Sequence, residues 1–276
     1  MSVISGWGLH GGGPSSIRFV AHDGPVVLRA GGIDTRIADL RVVDTTRSTT
    51  VANATGSVRV ATIEHVCAAL GGLGVHEGVA VVLEGREPPL ADGGARLYAD
   101  ALRALARQAG IRATRPALRI ARDGVIEIKG SCYELRCAVR DDPDAVELEV
   151  ALEFDDERIA KEARWSGDPE DFRLRIASAR TFGFEVEVGD LLARGLASHV
   201  TPESVVVIGK DRVLSAGDAF TADEPARHKL LDLVGDLYLH GGPPRGSLRA
   251  TRPGHAATHE VMRAAHDQGL IVCDAR

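Results

Sequence analysis

Aromatic residues are scarce in this sequence of 276 residues, of which Phe, Trp and Tyr make up only 4%. The hydrophobic content of 44% still suffices to bury a core, and that core must consist mainly of Val, Leu, Ile and Ala. Positive charge is also in deficit, because 39 acidic residues outnumber 33 Lys and Arg and leave a net charge of -6. This balance argues against a protein that binds nucleic acid through bulk positive charge.

Long apolar runs are missing as well. The longest are as short as Val79 to Leu83, whereas a membrane-spanning helix needs about 18 or more consecutive apolar residues. The opening MSVISGWGLHGGG has neither the basic start nor the apolar stretch of a secretory signal peptide. We therefore expect a cytoplasmic protein without an integral membrane segment.

Cysteine is rare and scattered, with four residues at Cys67, Cys132, Cys137 and Cys273. None of them has the C-x-x-C spacing of a structural zinc site or of a redox pair. We expect reduced thiols without a functional role.

The first part of the chain alternates between strand and helix patterns. Alternation and β-branched residues predict strands, and a 3.6-residue period predicts helices. A turn at residues 53–56 predicts a hairpin, Asp92 is the expected cap of the second helix, and Gly110 its expected stop. The predicted strands lie at Ile17–Phe19, Val26–Leu28, Ser48–Ala52, Val58–Val60 and Gly78–Leu83, and the predicted helices at Thr62–Leu73 and Gly93–Gln108.

The second part repeats this order of strands followed by helices. We predict strands at Val125–Ile128, Val146–Leu152 and Phe172–Ile176, a hairpin of Val205–Ile208 with Val213–Leu214, and helices at Glu224–Leu239 and His255–Gln268. The aperiodic stretch Ile111–Pro116 separates the two parts. The sequence therefore predicts an α+β fold in which a two-layer domain occurs twice, as residues 1–113 and 114–276.

The helix predicted at Glu224–Leu239 carries a row of polar residues opposite its apolar face. His228, Asp232 and Asp236 are each four residues apart, so their side chains line up. A His and an Asp one turn apart can bind one metal ion. From spacing alone, such a row is more often a solvated helix face with a His–Asp pair.

Other pairs pass the same spacing filter, so spacing alone does not choose among them. His255 and His259 are also four residues apart on a predicted helix, and Glu64-His65 joins a possible base to a possible ligand. The glycines at 11–13 suggest a phosphate-binding loop, but the sequence lacks the G-x-x-x-x-G-K-[ST] pattern.

Whole blocks of sequence distinguish between these possibilities. They are GWGLHGGGP, VATIEHVCAALGGLG, ADGGARLY, RTFGF, RHKLLDLVGDLYL and PGHAATHE, in this order. In this combination the chain resembles the UDP-3-O-acyl-N-acetylglucosamine deacetylase family, zinc amidohydrolases of lipid A biosynthesis, from about Gly6 to Glu260. The resemblance implies two domains of similar layered α+β build, with the active site between them.

The resemblance also implies a role for each residue of a metal site. His65, His228 and Asp232 would bind Zn²⁺, a ligand set that also accommodates Fe²⁺. Glu64 would be the general base beside the metal-bound water. His255 would be the protonated acid, and Asp236 would orient it and favour its charged form.

Substrate-binding residues follow from the same resemblance. Thr181 would donate a hydrogen bond to the oxyanion, Lys229 would bind polar groups of the nucleotide sugar, and Phe182 and Gly183 would line the site beside them. An insert at residues 184–204, with Leu191 and Leu196 among its apolar residues, would hold the fatty acyl chain. Ordinary packing of a short helix would explain these leucines equally well. Under the resemblance, His259 would be only a helix residue.

The implied reaction is hydrolysis of the N-acetyl amide of UDP-3-O-acyl-N-acetylglucosamine, with release of acetate. The expected partner is therefore a UDP-linked acylated amino sugar and not nucleic acid, and the expected state is a monomer. Two alternatives remain open at this point. One is a related zinc deacetylase that acts on another acylated or nucleotide-linked amino sugar, and the other is a catalytically silent binding protein with the same fold.

Overall fold

Two five-stranded mixed sheets form the framework of the protein. A computed structural model describes residues 2–114, 116–187, 203–216 and 218–274 of the chain. The first sheet has the order β1-β2-β8-β3-β4. Its strands are β1 (Ile4–Trp7), β2 (Pro14–Pro25), β3 (Val27–Ala30), β4 (Ile33–Arg36) and β8 (Glu77–Glu84). Strand β8 is central and parallel to β3, which explains why its apolar run Val79–Leu83 is continuous and buried.

The second sheet repeats this topology. Its order is β10-β11-β17-β12-β13, with one parallel pair, β12 with β17. Its strands are β10 (Gly124–Ile128), β11 (Ser131–Arg136), β12 (Val146–Ala151), β13 (Glu162–Trp165) and β17 (Gly246–Thr251). The repeated strand order confirms the predicted α+β fold built twice from a similar layout, while the division between residues 113 and 114 stays a prediction.

The other strands of the described residues form three smaller sheets. One joins β5 (Arg41–Asp44), β6 (Thr50–Ala52) and β7 (Arg59–Val60), a second joins β14 (Thr181–Phe184), β15 (Val205–Ile208) and β16 (Val213–Leu214), and a third pairs β9 (Leu118–Ile120) with β18 (Ile271–Cys273). The hairpins predicted from local turns are present, because β6 pairs with β7 and β15 with β16 in antiparallel register.

Four longer helices pack on these sheets and on each other. They are α1 (Glu64–Gly72), α2 (Arg96–Ala109), α3 (Glu224–Tyr238) and α4 (His255–Asp267), and a 3₁₀ turn spans Ile37–Asp39. Helix α2 packs on the first sheet, α3 and α4 pack on the second, and α1 packs against α3. Gly110, in the left-handed region at φ 70°, ends α2 as predicted.

The strand predicted at Phe172–Ile176 is wrong, because this segment is a π-helical turn that continues from a short helix at Pro169–Asp171. Asp168 starts the helix by accepting the Asp171 amide N–H at 2.6 Å. Phe172 and Ile176, four residues apart, are then both fully buried on one side. Their spacing of four residues is that of a helix, but five residues are too few to distinguish this period from the pattern of a strand.

Asp92 is not the cap of α2, which begins only at Arg96 after Ala95. The backbone just before the helix is instead hydrogen-bonded to residues of the second half of the chain. The Ala95 amide donates to the Ala177 carbonyl, and the Thr181 amide donates to the Gly93 carbonyl, both at 2.8 Å. These bonds tie the start of α2 to the start of β14.

None of the helices in the described ranges has the length and apolarity required to cross a lipid bilayer.

Candidate active site

The candidate site lies where α1 meets α3. All residues of α1 are buried, and α3 is buried around nearly its whole circumference. The two helices approach so closely that a Cβ added at Gly235 would overlap the backbone carbonyl of Glu64. This contact brings the first residues of α1 against the polar row of α3, so the alternative of a solvated helix face is wrong.

Three side chains converge at this contact. His65 on α1 and His228 and Asp232 on α3 offer ligand atoms that all lie within 4.8 Å of one another, and all three residues are buried. The Asp232 Oδ1 atom lies 3.8 Å from the His65 Nε2 atom and 3.5 Å from the His228 Nε2 atom. Two imidazole nitrogens and one carboxylate oxygen match the three protein ligands of a catalytic zinc site.

Neighbouring groups orient these ligand atoms. The His228 Nδ1 atom lies 3.0 Å from the Ala179 carbonyl, which leaves Nε2 for the site. The Lys229 ammonium donates to Asp232 Oδ2 at 2.8 Å and leaves Oδ1 for the site. Burial, together with the neighbouring His228, lowers the pKa of His65 to about 3, so its imidazole is neutral at pH 7. Neutral imidazoles beside an ionised carboxylate fit a divalent metal ion.

Glu64 lies beside this triad as the first residue of α1. Its carboxylate is 2% exposed and accepts the Thr49 amide N–H at 3.0 Å. Burial raises the pKa of Glu64 to about 8. A carboxylate whose pKa lies this close to neutrality can take up a proton during a reaction.

His255, the first residue of α4, faces Glu64 across the site. Its Nδ1–H donates to Asp236 Oδ2 at 2.8 Å, and its Nε2 lies 3.9 Å from Glu64 Oε1. Burial alone would lower the pKa of His255, but Asp236, Glu64 and Asp232 together outweigh it and raise the pKa to about 9. The imidazole is therefore a cation at pH 7 that can donate from Nε2.

His259 does not face the metal triad. Its Nε2 lies 3.2 Å from Asp236 Oδ1 and its Nδ1 lies 2.8 Å from His240 Nε2. Both ring nitrogens are therefore engaged away from the site, which argues against the pair of His255 and His259 as metal ligands.

A cavity of about 310 Å³ opens onto these groups. It is lined by nine of the residues proposed from the sequence, namely Glu64, His65, Thr181, Phe182, Gly183, His228, Lys229, Asp232 and His255. Asp236 lies behind His255 and does not line it. Leu191 and Leu196, expected to hold an acyl chain, lie outside the described residues.

Sequence reasoning missed several residues of this cavity. Leu9, Arg47 and Phe154 also line it and were not singled out, and Phe184 and Glu187, which line it too, lie in the insert predicted at residues 184–204 without having been named. Among them, Phe154 packs edge-on against Phe182 and Phe184, at ring-centroid distances of 6.0 and 5.1 Å. These rings give the cavity an apolar wall, and the contact of Phe154 with β14 is a tertiary contact that no local pattern indicates.

The position of Thr181 depends on a buried ion pair. Arg180 donates from Nε and Nη2 to the two carboxylate oxygens of Glu224, at 2.8 and 3.1 Å, and both side chains are buried. Such a paired guanidinium and carboxylate hold a fixed relative orientation. The start of β14 is thereby tied to the start of α3, which carries His228.

The glycine-rich opening of the chain encloses a carboxylate of the protein itself. Glu87 accepts the amide N–H groups of His10 and Gly11, at 3.1 and 2.8 Å, and the Thr62 hydroxyl at 2.6 Å. These amides are therefore already satisfied, which explains them without the phosphate-binding loop considered from the sequence.

Comparisons with known proteins show which family this chain matches. The family model described as UDP-3-O-acyl N-acetylglycosamine deacetylase matches residues 1–267. A UDP-3-O-acyl-N-acetylglucosamine deacetylase of Anaeromyxobacter sp. (strain Fw109-5) is 33% identical over 267 residues, which cover 94% of this chain and 84% of the relative. Enzymes of the same name from Brucella melitensis biotype 2 (strain ATCC 23457) and Brucella ovis (strain ATCC 25840 / 63/290 / NCTC 10512) are each 32% identical over 271 residues, or 95% of this chain and 91% of the relative.

Proposed function

Because the chain belongs to the UDP-3-O-acyl N-acetylglycosamine deacetylase family, we propose that it is a zinc-dependent hydrolase of UDP-3-O-acyl-N-acetylglucosamine. It cleaves the N-acetyl amide and releases acetate, a step of lipid A biosynthesis. Iron could replace zinc, since imidazole and carboxylate ligands suit both ions.

One juxtaposition carries this proposal. A buried carboxylate, Glu64, and a protonated imidazole, His255, face each other at 3.9 Å beside the triad of possible metal ligands. Amide hydrolysis requires a base for the attacking water and an acid for the departing amine. His255 is protonated at pH 7, as the acid requires, and Glu64 is the carboxyl group placed to serve as the base once it is ionised.

His65, His228 and Asp232 would bind the metal ion. A divalent ion held there would lower the pKa of a water molecule and polarise the acetyl carbonyl. Its positive charge would also lower the pKa of Glu64 from the value of about 8 that burial causes, which favours the ionised form that a base requires.

The chain's own residues then move the protons. Glu64 accepts a proton from the attacking water, and the Thr181 hydroxyl donates to the oxyanion as the carbonyl carbon becomes tetrahedral. His255 donates its Nε2 proton to the amine nitrogen as the C–N bond breaks. The Asp236 carboxylate, at 2.8 Å from Nδ1, holds the ring in place and stabilises its cation before the transfer.

Substrate binding combines charge with an apolar wall. We assign the phosphates and polar sugar groups to Lys229, whose pKa is raised because Asp232, Asp236 and Glu64 together outweigh burial. Its ammonium lies 5.8 Å from the centre of the Phe182 ring. Phe182 and Gly183 would contact the sugar, and Leu191 and Leu196 the acyl chain.

The direct test is acetate release by the purified protein from UDP-3-O-acyl-N-acetylglucosamine. The matched control substrate is UDP-N-acetylglucosamine, which lacks the 3-O-acyl chain. We expect hydrolysis of the acylated sugar and much slower hydrolysis of the control, because apolar contacts add binding energy that the control cannot use. Equal rates would favour another amino sugar, and no release from either would favour a silent binding protein.

Substituting Asp236 should shift the alkaline limit of the reaction. His255 must be protonated to act, so the rate falls as the pH rises through its pKa, which Asp236 and its neighbours Glu64 and Asp232 raise to about 9. In Asp236→Asn the strongest of these attractions is lost while burial and the attraction of Glu64 and Asp232 remain, so the alkaline limb of kcat/KM should move to clearly lower pH. A bound metal ion would affect both proteins alike, so their difference is the measurement. An unchanged limb would mean that His255 is not the acid.

A further inference from the structure

Asp236 accepts hydrogen bonds from more than His255. Its carboxylate is 1% exposed. The Thr49 hydroxyl donates to Oδ1 at 2.6 Å. His259 Nε2 lies 3.2 Å from this oxygen and 3.2 Å from the Thr49 hydroxyl, so it contacts the carboxylate both directly and through Thr49. His255 and His259 are one turn apart on α4, so two imidazoles of one helix face meet the two oxygens of one carboxylate.

The proton positions of this cluster follow from its contacts. His259 Nε2 faces Asp236 Oδ1 and the Thr49 hydroxyl, whose single proton already goes to Asp236. Both oxygens can therefore only accept from the ring, so this nitrogen carries a proton. His259 Nδ1 lies 2.8 Å from His240 Nε2. Burial and the neighbouring His259 lower the pKa of His240 to about 4, so His240 is neutral at pH 7 and can donate from Nε2 to His259.

We propose that His259, supported by His240, is a positioning residue for His255 that holds the Asp236 carboxylate with Oδ2 facing the catalytic ring. The proposal rests on the assignment of His255 as the acid under the proposed function. His259 does not line the active-site cavity among the described residues, so it would act only through Asp236.

The physical reason is that a carboxylate rotates readily about its last side-chain bond. A single contact on Oδ2 leaves that rotation open, whereas donors on both oxygens fix the carboxylate plane. The donors on Oδ1 also compensate the cost of burying the charge.

The charged and titratable groups around the His255 and His259 rings are His10, Glu64, His65, His228, Asp232, Asp236 and His240.

Removing the His259 donor should weaken the hold of Asp236 on His255. The carboxylate could then turn towards Thr49, or water could enter the space that the ring leaves. Either change weakens the attraction that keeps His255 protonated. His259→Leu should therefore lower both kcat and the pKa of His255, while His259→Gln, whose amide can donate to Oδ1, should retain most of both.

The first measurement is steady-state kinetics of the zinc-loaded variants. We expect His259→Leu to lower kcat by about ten- to a hundredfold, the usual effect of removing the partner of a site residue. KM should stay within about twofold, because the ground-state contacts with substrate are unchanged. The matched control is His266→Gln, which changes an exposed histidine of the same helix, and it should behave as the wild type.

The second measurement does not depend on turnover. Ring ¹⁵N NMR of histidine-labelled, zinc-loaded protein, with His255 assigned from a His255→Gln spectrum, gives the His255 pKa in each variant. We expect a clear decrease in His259→Leu and little change in His259→Gln. In the Asp236→Asn background, His259→Leu should change kcat and the His255 pKa very little. If the two substitutions acted independently, the kcat loss of the double variant would instead be the product of the two single losses, to within about twofold.

These outcomes separate the two proposals. If no acetate is released, the NMR comparison still tests whether His259 acts on His255. An unchanged His255 pKa in His259→Leu, or an equal kcat loss with and without Asp236, would overturn the positioning role.

Should His259→Leu fail to fold, His240→Ala replaces it. Its decrease in pKa should be smaller, because water from the cavity of about 500 Å³ that His240 lines can donate to His259, and no decrease would also overturn the proposal.

Discussion

Replacing His228 or Asp232 with alanine should yield a folded protein with almost no bound divalent metal, whereas the wild type should carry close to one ion per chain. Each substitution removes one of three buried ligand atoms that lie within 4.8 Å of one another. Deacetylation should fall on the order of 10³-fold or more, because a catalytic metal contributes several kcal/mol to the barrier. Metal analysis of the purified proteins, with acetate release from the same samples, provides the measurement.

The matched control for metal loss is His259→Ala. This histidine is buried in the same region, but its ring nitrogens face Asp236 and His240. It should therefore retain the metal even though its turnover decreases. Chelation of the wild type should abolish acetate release, and adding Zn²⁺ or Fe²⁺ should restore it. If His259→Ala loses the metal and His228→Ala keeps it, the ligand assignment is wrong.

Much of the fold could be predicted from local sequence. Helices α1 to α4 and both hairpins follow from periodicity and turn residues, and their ends differ from prediction by only a few residues. The parallel pairs β3 with β8 and β12 with β17 could not be predicted in this way. They join strands far apart in the chain, and no local pattern specifies which partner a buried strand chooses.

The site was predictable only in part from the spacing of residues. The predicted alignment of His228, Asp232 and Asp236 on one face of α3 is correct. The same spacing is also typical of a solvated helix face, and only the packing of α1 against α3 decides between the two interpretations. Gly235 offered a signal, because a glycine within a helix often marks a close approach of another backbone. The choice of His65 as the third ligand candidate came from the resemblance of whole blocks and not from spacing.

The contacts of Asp236 show what neither route could supply. The resemblance implies that His259 is only a helix residue, whereas the structure places its imidazole against Asp236 beside the Thr49 hydroxyl. Thr49 also donates its amide N–H to Glu64. A threonine in a β-rich stretch has no sequence signal for such a role, because the role depends on a loop residue and three helices, α1, α3 and α4, meeting in space.

Glu64 and His255 should be separable from the metal by substitution. Glu64→Gln should retain the metal, because its side chain is not among the three grouped ligands, and should lose about 10²- to 10⁴-fold in kcat, the typical contribution of a general base. His255→Ala should lose a comparable factor and also retain the metal. Glu77→Gln, an exposed substitution, is the control for Glu64→Gln and should match the wild type.

The pH dependence of kcat/KM assigns the two roles. Because Glu64 acts ionised and His255 acts protonated, the wild-type profile should be a bell. Its acid limb belongs to Glu64, whose pKa burial raises to about 8 before a metal lowers it, and its alkaline limb to His255, whose pKa is about 9. Glu64→Gln should lose the acid limb because an amide does not titrate, and His255→Ala should lose the alkaline limb. A residual rate in His255→Ala that still declines above pH 9 would show that another group is the acid.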